Sequence, residues 1–347
     1  MSYLSQIFPP APTFTEKPLE DLRGRVYIIT GATSGVGLEL AKILYAANGT
    51  VYVCGRSQAS TDTAISIIRD SSPKTTTQGR LNPLIFDLAD LSTVRSAAQL
   101  FLHQEQRLDV LFLNAGIMTP PPGSQTINGH DLELGSHCLA QFLLCKLLQP
   151  VLEATASWHR LSCTAEGCTE LEDQLKGRSN SVASTASGVR IVWVSSFISQ
   201  APRGGVQLYE RTGAPRLLKG MENYLQSKAG EVLLAEEWNR RYEGEGVLNV
   251  GVNPGLLRTG LQRHMPAAQR AVMHQIFKPA RFGAYSELYA GFSPDVQPGD
   301  FVIPFGRRSR LPCHIVKSLK PDPKRDDIES TAARFWEWCE DQVKDYL

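Results

Sequence analysis

Net charge is nearly absent from this chain: 36 basic and 35 acidic side chains leave +1 across 347 residues. So even a balance gives no field for holding nucleic acid or an acidic membrane surface, and neither is expected as a partner. Long apolar runs are absent too. No stretch approaches the ~18 consecutive apolar residues of a membrane span, so none is expected. Cysteine is sparse: seven residues, scattered and odd in number. No secretory signal precedes them, and the expectation is reduced thiols in a cytoplasmic protein. His159, Cys163 and Cys168 form only a loose H-x3-C-x4-C with no second Cys pair. No metal is expected. Internal repeats are also lacking.

What remains is an ordinary globular composition, 42% hydrophobic and 20% charged, on a chain long enough for a large core. Apolar runs at 25–30, 51–54, 81–86, 108–113, 189–194, 248–252 and 301–303 read as seven strands. Helical spacing separates them, at about 35–48, 61–69, 91–106, 131–152 and 224–242. Alternation of this kind predicts an α/β fold: a Rossmann-type, doubly wound, parallel seven-stranded sheet with helices on both faces. We read the chain as one domain with its catalytic core at 22–305. Residues 154–187, rich in Ser, Thr and Gly, read as a polar surface insertion. Residues 308–347 read as a C-terminal extension whose last helix, with Phe335, Trp336 and Trp338, packs back on the core.

The first strand runs into T-G-A-T-S-G-V-G, residues Thr30 to Gly37, and then into an amphipathic helix. Glycines let the backbone turn tightly against a pyrophosphate, and the helix N-terminus supplies N–H groups and positive dipole. Glycine is common here, 28 of 347, so the spacing alone is weak. Its position between strand and helix strengthens it. The polar clusters Asp87-Leu88, Asn114-Ala115-Gly116, Ser195-Ser196 and Asn253-Pro254-Gly255 each end a predicted strand, where ligands bind in such sheets.

Tyr224 and Lys228 stand four apart in Y-L-Q-S-K, which puts them on one helix face. An ammonium beside a phenol favours the phenolate and lowers a pKa that is ordinarily ~10. Taken alone the pair reads as a surface feature. Its place after Ser196 in the chain fits one active site.

Together, Thr30-Gly31-x-x-x-Gly35-x-Gly37, Asp87, Asn114-Ala115-Gly116, Ser196, Tyr224-x-x-x-Lys228 and Pro254-Gly255 resemble the short-chain dehydrogenase/reductase superfamily. The resemblance covers residues 22–303. The strings R-I-V-W-V-S-S, Y-L-Q-S-K-A-G, N-P-G-L-L-R-T, E-L-Y-A-G and F-W-E-W-C-E are similar to the retinol-dehydrogenase and WW-domain-oxidoreductase-like branch common in filamentous fungi.

The resemblance implies that Tyr224 gives or takes the substrate proton, that Lys228 tunes it and bonds the nicotinamide ribose, and that Ser196 bonds the substrate oxygen. Ser195 is the weaker candidate for that last role. The implied cofactor site comprises Gly31, Thr33, Ser34, Gly35, Val36, Gly37, Arg56, Asp87, Leu88, Asn114, Ala115, Gly116, Tyr224, Lys228, Pro254, Gly255, Leu257 and Thr259. An NAD enzyme of this type places a carboxylate after the second strand to bond the ribose 2′-OH. Here Gly55-Arg56 stands there, with no acid before Asp62. An arginine suits a 2′-phosphate, so the expected cofactor is NADP(H). One residue departs from the family pattern. His137 occupies the position of an asparagine that holds a proton-relay water, and two readings stay open: a relay group, or a packed helix residue.

Residues 200–219 and 256–292 are the expected substrate contacts. Leu261, Met265, Val272, Met273, Ile276, Phe277 and Phe282 suggest an apolar lid and an apolar small-molecule carbonyl or alcohol. The expectation is an NADPH-linked ketone or aldehyde reductase of fungal secondary metabolism. Its rivals are the same chemistry run as alcohol oxidation, and a non-catalytic NADP-binding scaffold on the same fold. A homo-oligomer is compatible with all three.

Overall fold

Val26–Ile29 is apolar at every position, and a strand apolar on both faces needs cover on both. The computed structural model supplies it. The structure describes residues 4–17, 19, 21–72, 79–165, 188–197, 205–264, 275–321 and 329–347. After a short α1 (Leu4–Ile7), the chain alternates β1 (Val26–Ile29), α2 (Gly35–Ala46), β2 (Thr50–Gly55), α3 (Gln58–Ser71), β3 (Arg80–Ile85), α4 (Leu91–Gln104) and β4 (Val110–Leu113). Then come α5 (Leu132–Leu134), a π-helical segment (Gly135–Leu139), α6 (Ala140–Ala165), β5 (Val189–Val194), α7 (Met221–Arg241) and β6 (Val247–Val252). The chain closes with a two-stranded ribbon, β7 (Leu257–Arg258) and β8 (Lys278–Pro279), then α8 (Ala280–Phe292), β9 (Asp300–Ile303), β10 (Arg307–Arg310), α9 (Cys313–Ser318) and α10 (Thr331–Val343).

The main sheet has the order β10-β9-β6-β5-β4-β1-β2-β3. All neighbours are parallel except β9 and β10. Alternate side chains build two cores. Ile28, Leu111 and Trp193 face α4, α6, α7 and α10. Tyr27, Val110 and Phe112 face α2, α3 and α8. Strand order reverses between β1 and β4, and a crevice opens there at the carboxyl ends.

Eight strands replace the seven expected. The eighth, β10, reads R-R-S-R and carries no apolar alternation, because it is an exposed edge. It is held by its antiparallel register with β9 and by an Arg308–Asp300 ion pair at 2.7 Å. The first part of the polar surface insertion expected at 154–187 is helix instead. The helix runs on through Ala165, with Ala156 buried and Thr155 Oγ1 donating to Val151 O at 2.7 Å. Residues 166–187 lie outside the described part.

The C-terminal helix packs back as expected. Ser330 caps α10 by accepting from the Ala333 N–H, and Trp336 sets its ring against Phe142 and Trp238, with centroids 4.7 and 4.8 Å away. Among the described residues, one helical stretch, Leu132–Leu161, is long and apolar enough to cross a membrane, and most of it is buried inside the fold.

Candidate active site

The glycine turn after β1 is built by close approach. Gly31 adopts φ +67°, and a Cβ there would stand 2.9 Å from the Ala115 Cα. A Cβ on Gly37 would stand 2.5 Å from Asn114 Nδ2. That amide instead donates to Thr30 O at 2.8 Å, and Ala115 N–H donates to Thr30 Oγ1 at 2.9 Å. The ends of β1 and β4 are thereby locked together. Helix α2 starts at Gly35, and Ser34 makes no side-chain capping bond. The first N–H groups of α2 thus have no side-chain cap, as an anion site requires. Across the turn, Thr259 Cγ2 lies 3.4 Å from the position a Gly35 Cβ would take.

A cleft of about 900 Å³ runs over these ends. Gly31, Thr33, Ser34, Gly35, Val36, Arg56, Asp87, Leu88, Asn114, Ala115, Gly116, Ser196, Tyr224, Lys228, Pro254, Gly255, Leu257 and Thr259 all line it. Two residues of the sequence-derived set do not. Gly37 lies beneath the turn against Asn114, and His137 is fully buried behind the site. At one end Arg56 is exposed, and no bond or ion pair engages its guanidinium among the described residues. Ser57 and Ser60 line the cleft beside it. Asp87 accepts the Ala89 N–H at 2.9 Å, which fixes its carboxylate at the cleft wall.

At the other end stand the groups that handle protons. Tyr224 hydrogen-bonds Ser196, whereas Ser195 is buried and donates its hydroxyl to Lys228 O at 2.6 Å. Burial pushes the Tyr224 phenol above its ordinary value; Lys228 and the Ser196 bond pull it down without overcoming this, while Glu231 and Glu133 add to the rise. The lowering expected from the lysine is present but outweighed. Burial also disfavours the Lys228 ammonium, yet Glu231 and Tyr224 outweigh that and hold it above its ordinary range. Its Nζ donates to Val194 O at 2.9 Å and to Glu231 Oε1 at 2.8 Å.

His137 is bonded at both ring nitrogens. Nε2 accepts the Ile117 N–H at 3.0 Å, and Nδ1 lies 2.8 Å from Ser227 Oγ. Ser227 spends its own hydrogen on Tyr224 O at 2.8 Å, so Nδ1 carries the imidazole proton. Burial, reinforced by the Lys228 charge, holds the ring well below its ordinary pKa, and it stays neutral.

Part of the apolar lid expected from sequence lies outside the described residues. Leu261 lines the cleft, Phe277 is buried, and Phe282 packs on Phe305 with centroids 5.1 Å apart. Ile276 is half exposed, and Met265, Val272 and Met273 lie outside the described residues. Reasoning from sequence missed Ile117, Pro120, Pro121 and Leu132, which line the cleft near Tyr224's end. It also missed Glu231, whose i,i+3 spacing from Lys228 was the available signal. Among the described residues no group of three or more His, Cys, Asp or Glu could hold a metal; His159 Nε2 instead pairs with Asp109 at 2.9 Å.

A parallel sheet with a glycine turn after its first strand, and a tyrosine–lysine pair facing the same cleft, defines a dinucleotide-linked oxidoreductase. The sequence model of the family described as short chain dehydrogenase matches residues 25–136. A short-chain dehydrogenase/reductase of Phomopsis amygdali is 37% identical over 352 residues, covering 99% of this chain and 96% of that one. Another, from Emericella nidulans, is 36% identical over 350 residues, covering 97% and 98%. The crystal structure of an uncharacterised protein from Mycobacterium Paratuberculosis shares the fold at TM-score 0.63 and 24% identity, covering 95% and 97%. The Pseudomonas aeruginosa RhlG/NADP active-site complex does so at TM-score 0.54 and 18% identity, covering 82% and 93%. The chain belongs to the short-chain dehydrogenase/reductase family and is an oxidoreductase acting between CH–OH and C=O groups.

Proposed function

We propose that this enzyme is an NADPH-linked reductase of an apolar ketone or aldehyde, working in the cytoplasm in fungal secondary metabolism. The observation that carries the reading is Tyr224, bonded to Ser196 and flanked by Lys228, at one end of the cleft that the glycine turn opens. The relatives from Phomopsis amygdali and Emericella nidulans support the fungal setting. Arg56, with Ser57 and Ser60 beside it, supports NADP(H) over NAD(H), since these groups suit a 2′-phosphate and no carboxylate stands at the end of β2 to bond a 2′-hydroxyl. An NADP complex among the structures that share the fold is consistent with this.

The cradle fits the cofactor because Gly31 and Gly37 leave no room for side chains and the start of α2 lacks a side-chain cap. Gly31 to Val36 and Thr259 would hold the pyrophosphate, Asp87 and Leu88 the adenine, and Asn114 to Gly116 with Pro254, Gly255 and Leu257 the nicotinamide half. When bound, the cofactor supplies the hydride. The chain's own residues do the rest. Ser196 bonds the carbonyl oxygen, and Tyr224 Oη delivers the proton to it. Lys228 stabilises the phenolate left behind. Ile117, Pro120, Pro121 and Leu132 suit an apolar substrate body and exclude water.

The test is a panel of apolar ketones and aldehydes with NADPH absorbance as readout. At least one carbonyl should be reduced. Tyr224→Phe should lower kcat about a hundredfold or more, as loss of a general acid does, with NADPH affinity largely kept. Full turnover in Tyr224→Phe would sink the assignment.

A further inference from the structure

Glu231 lies one turn beyond Lys228 on α7, fully buried. Its Oε1 accepts from Lys228 Nζ at 2.8 Å, and its Oε2 has no hydrogen-bond partner among the described residues. A carboxylate in such a place is costly, and its worth lies in what it does to its partner. We propose that Glu231 is a positioning residue that pins the Lys228 ammonium and, once ionised, offsets part of its charge at Tyr224. The inference deepens the reductase reading and rests on it.

The geometry separates two effects. An ammonium has three N–H groups. Val194 O and Glu231 Oε1 take two, which leaves one for the cleft that Lys228 lines. Glu231 therefore fixes which way the lysine can reach. The second effect is electrostatic. An uncompensated ammonium beside a buried phenol favours the phenolate; a carboxylate on its far side weakens that pull. Glu231 raises Tyr224 and raises Lys228, consistent with this.

Other ionisable groups face the same region. His137 and Cys138 come from the π-helical segment, Glu133 from α5, Cys339 from α10 and Glu287 from α8. Burial holds the His137 ring well below its ordinary pKa and pushes both thiols and the Glu287 carboxyl well above theirs. Of all these, Lys228 is the charge that acts on the Glu231 carboxyl, opposing the rise that burial imposes. Burial pushes the Glu231 carboxyl up to about 8, while Tyr224 is raised above its ordinary value of about 10, so the carboxylate is ionised by the time the phenol loses its proton, and its removal must move the phenol.

The experiment is an NMR titration of the cofactor-free protein labelled at tyrosine Cζ, with the Tyr224 signal assigned by its absence in Tyr224→Phe. It needs no substrate, so its failure is separate from failure of the reductase reading, which the carbonyl panel tests. Glu231→Gln keeps a hydrogen-bond acceptor and removes the charge. Its Tyr224 signal should titrate about one pH unit or more below wild type, the scale of shift a nearby charge causes. Glu231→Asp should restore most of the difference. Should Glu231→Gln not fold, Glu231→Asn carries the same expectation. A Tyr224 signal that titrates no earlier in the amide variant than in wild type overturns the proposal.

Discussion

Asn114 lies across Gly37: its Nδ2 stands 2.5 Å from where a Cβ on that glycine would be, and from there it reaches Thr30 O at 2.8 Å. The helix that follows the glycine turn and the strand that ends at Asn114 are thus packed at the limit of contact. Gly37→Ala must push Asn114 away, since Gly31 O is only 2.8 Å from the same position and blocks the other side. We expect a stability loss of about 1–3 kcal/mol, the usual cost of overpacking. NADPH should bind at least about tenfold more weakly, because displacement by even an ångström degrades a positioned site. Fluorescence titration of NADPH and thermal unfolding measure the two. An alanine variant with wild-type affinity would show that the contact does not shape the cradle.

Arg56 should choose between cofactors. It is exposed at the cleft end with Ser57 and Ser60, and no protein group engages it among the described residues. A charge-assisted hydrogen bond to phosphate contributes about 1.5–3 kcal/mol. Arg56→Ala should therefore raise the NADPH dissociation constant about ten- to a hundredfold and leave that of NADH nearly unchanged. Added salt should weaken NADPH binding to wild type more than to the variant. Equal losses for both cofactors would place Arg56 elsewhere than on the 2′-phosphate.

The adjacent serines separate cleanly in the structure although they are indistinguishable as sequence. Ser195 Oγ is buried against Lys228 O, and Ser196 meets Tyr224. Ser196→Ala should cost turnover about a hundredfold, the scale for one lost donor to a reacting oxygen, with an unchanged melting temperature. Ser195→Ala should do the opposite, costing about 1 kcal/mol of stability and little turnover. Reversal of these two phenotypes would exchange the roles.

Much of this site was legible because its chemistry sits where apolar strands stop. The runs before Gly31, Asn114, Ser196 and Pro254 are buried on both faces, so their ends are sharp in sequence as in structure. The edge strand β10 was not legible, since an exposed edge needs no apolar alternation and R-R-S-R has none. The substrate-end wall was missed for a related reason. Ile117, Pro120 and Pro121 lie in a loop whose path depends on tertiary bonds, such as Thr119 N–H to Glu133 Oε1 at 2.8 Å, and no local spacing encodes these. Net direction of the tyrosine shift was likewise hidden. Lys228 is visible at i+4, but burial and the Glu231 carboxylate emerge only once α7 is packed.

His137 should reveal itself in stability as a function of pH. Its Nε2 takes the Ile117 N–H and its Nδ1–H meets Ser227 Oγ, so the folded chain holds it neutral and fully bonded. Its folded pKa is depressed, by burial first and by Lys228 second. Unfolded, it titrates near the ordinary value of about 6.5. Below that the unfolded state binds a proton that the folded state refuses, so stability falls as pH falls. Above it the contribution is complete and flat. His137→Asn should lose about 1–3 kcal/mol near neutrality, because the part-buried Ile117 N–H loses its acceptor. The deficit should then narrow as acid is added, since wild type alone pays about 1.4 kcal/mol per pH unit below the unfolded pKa. Urea unfolding of both proteins between about pH 8 and about pH 5 measures this difference. A gap that stays constant over that range would mean the ring takes up its proton in the folded chain, which would favour a relay role over a packed one.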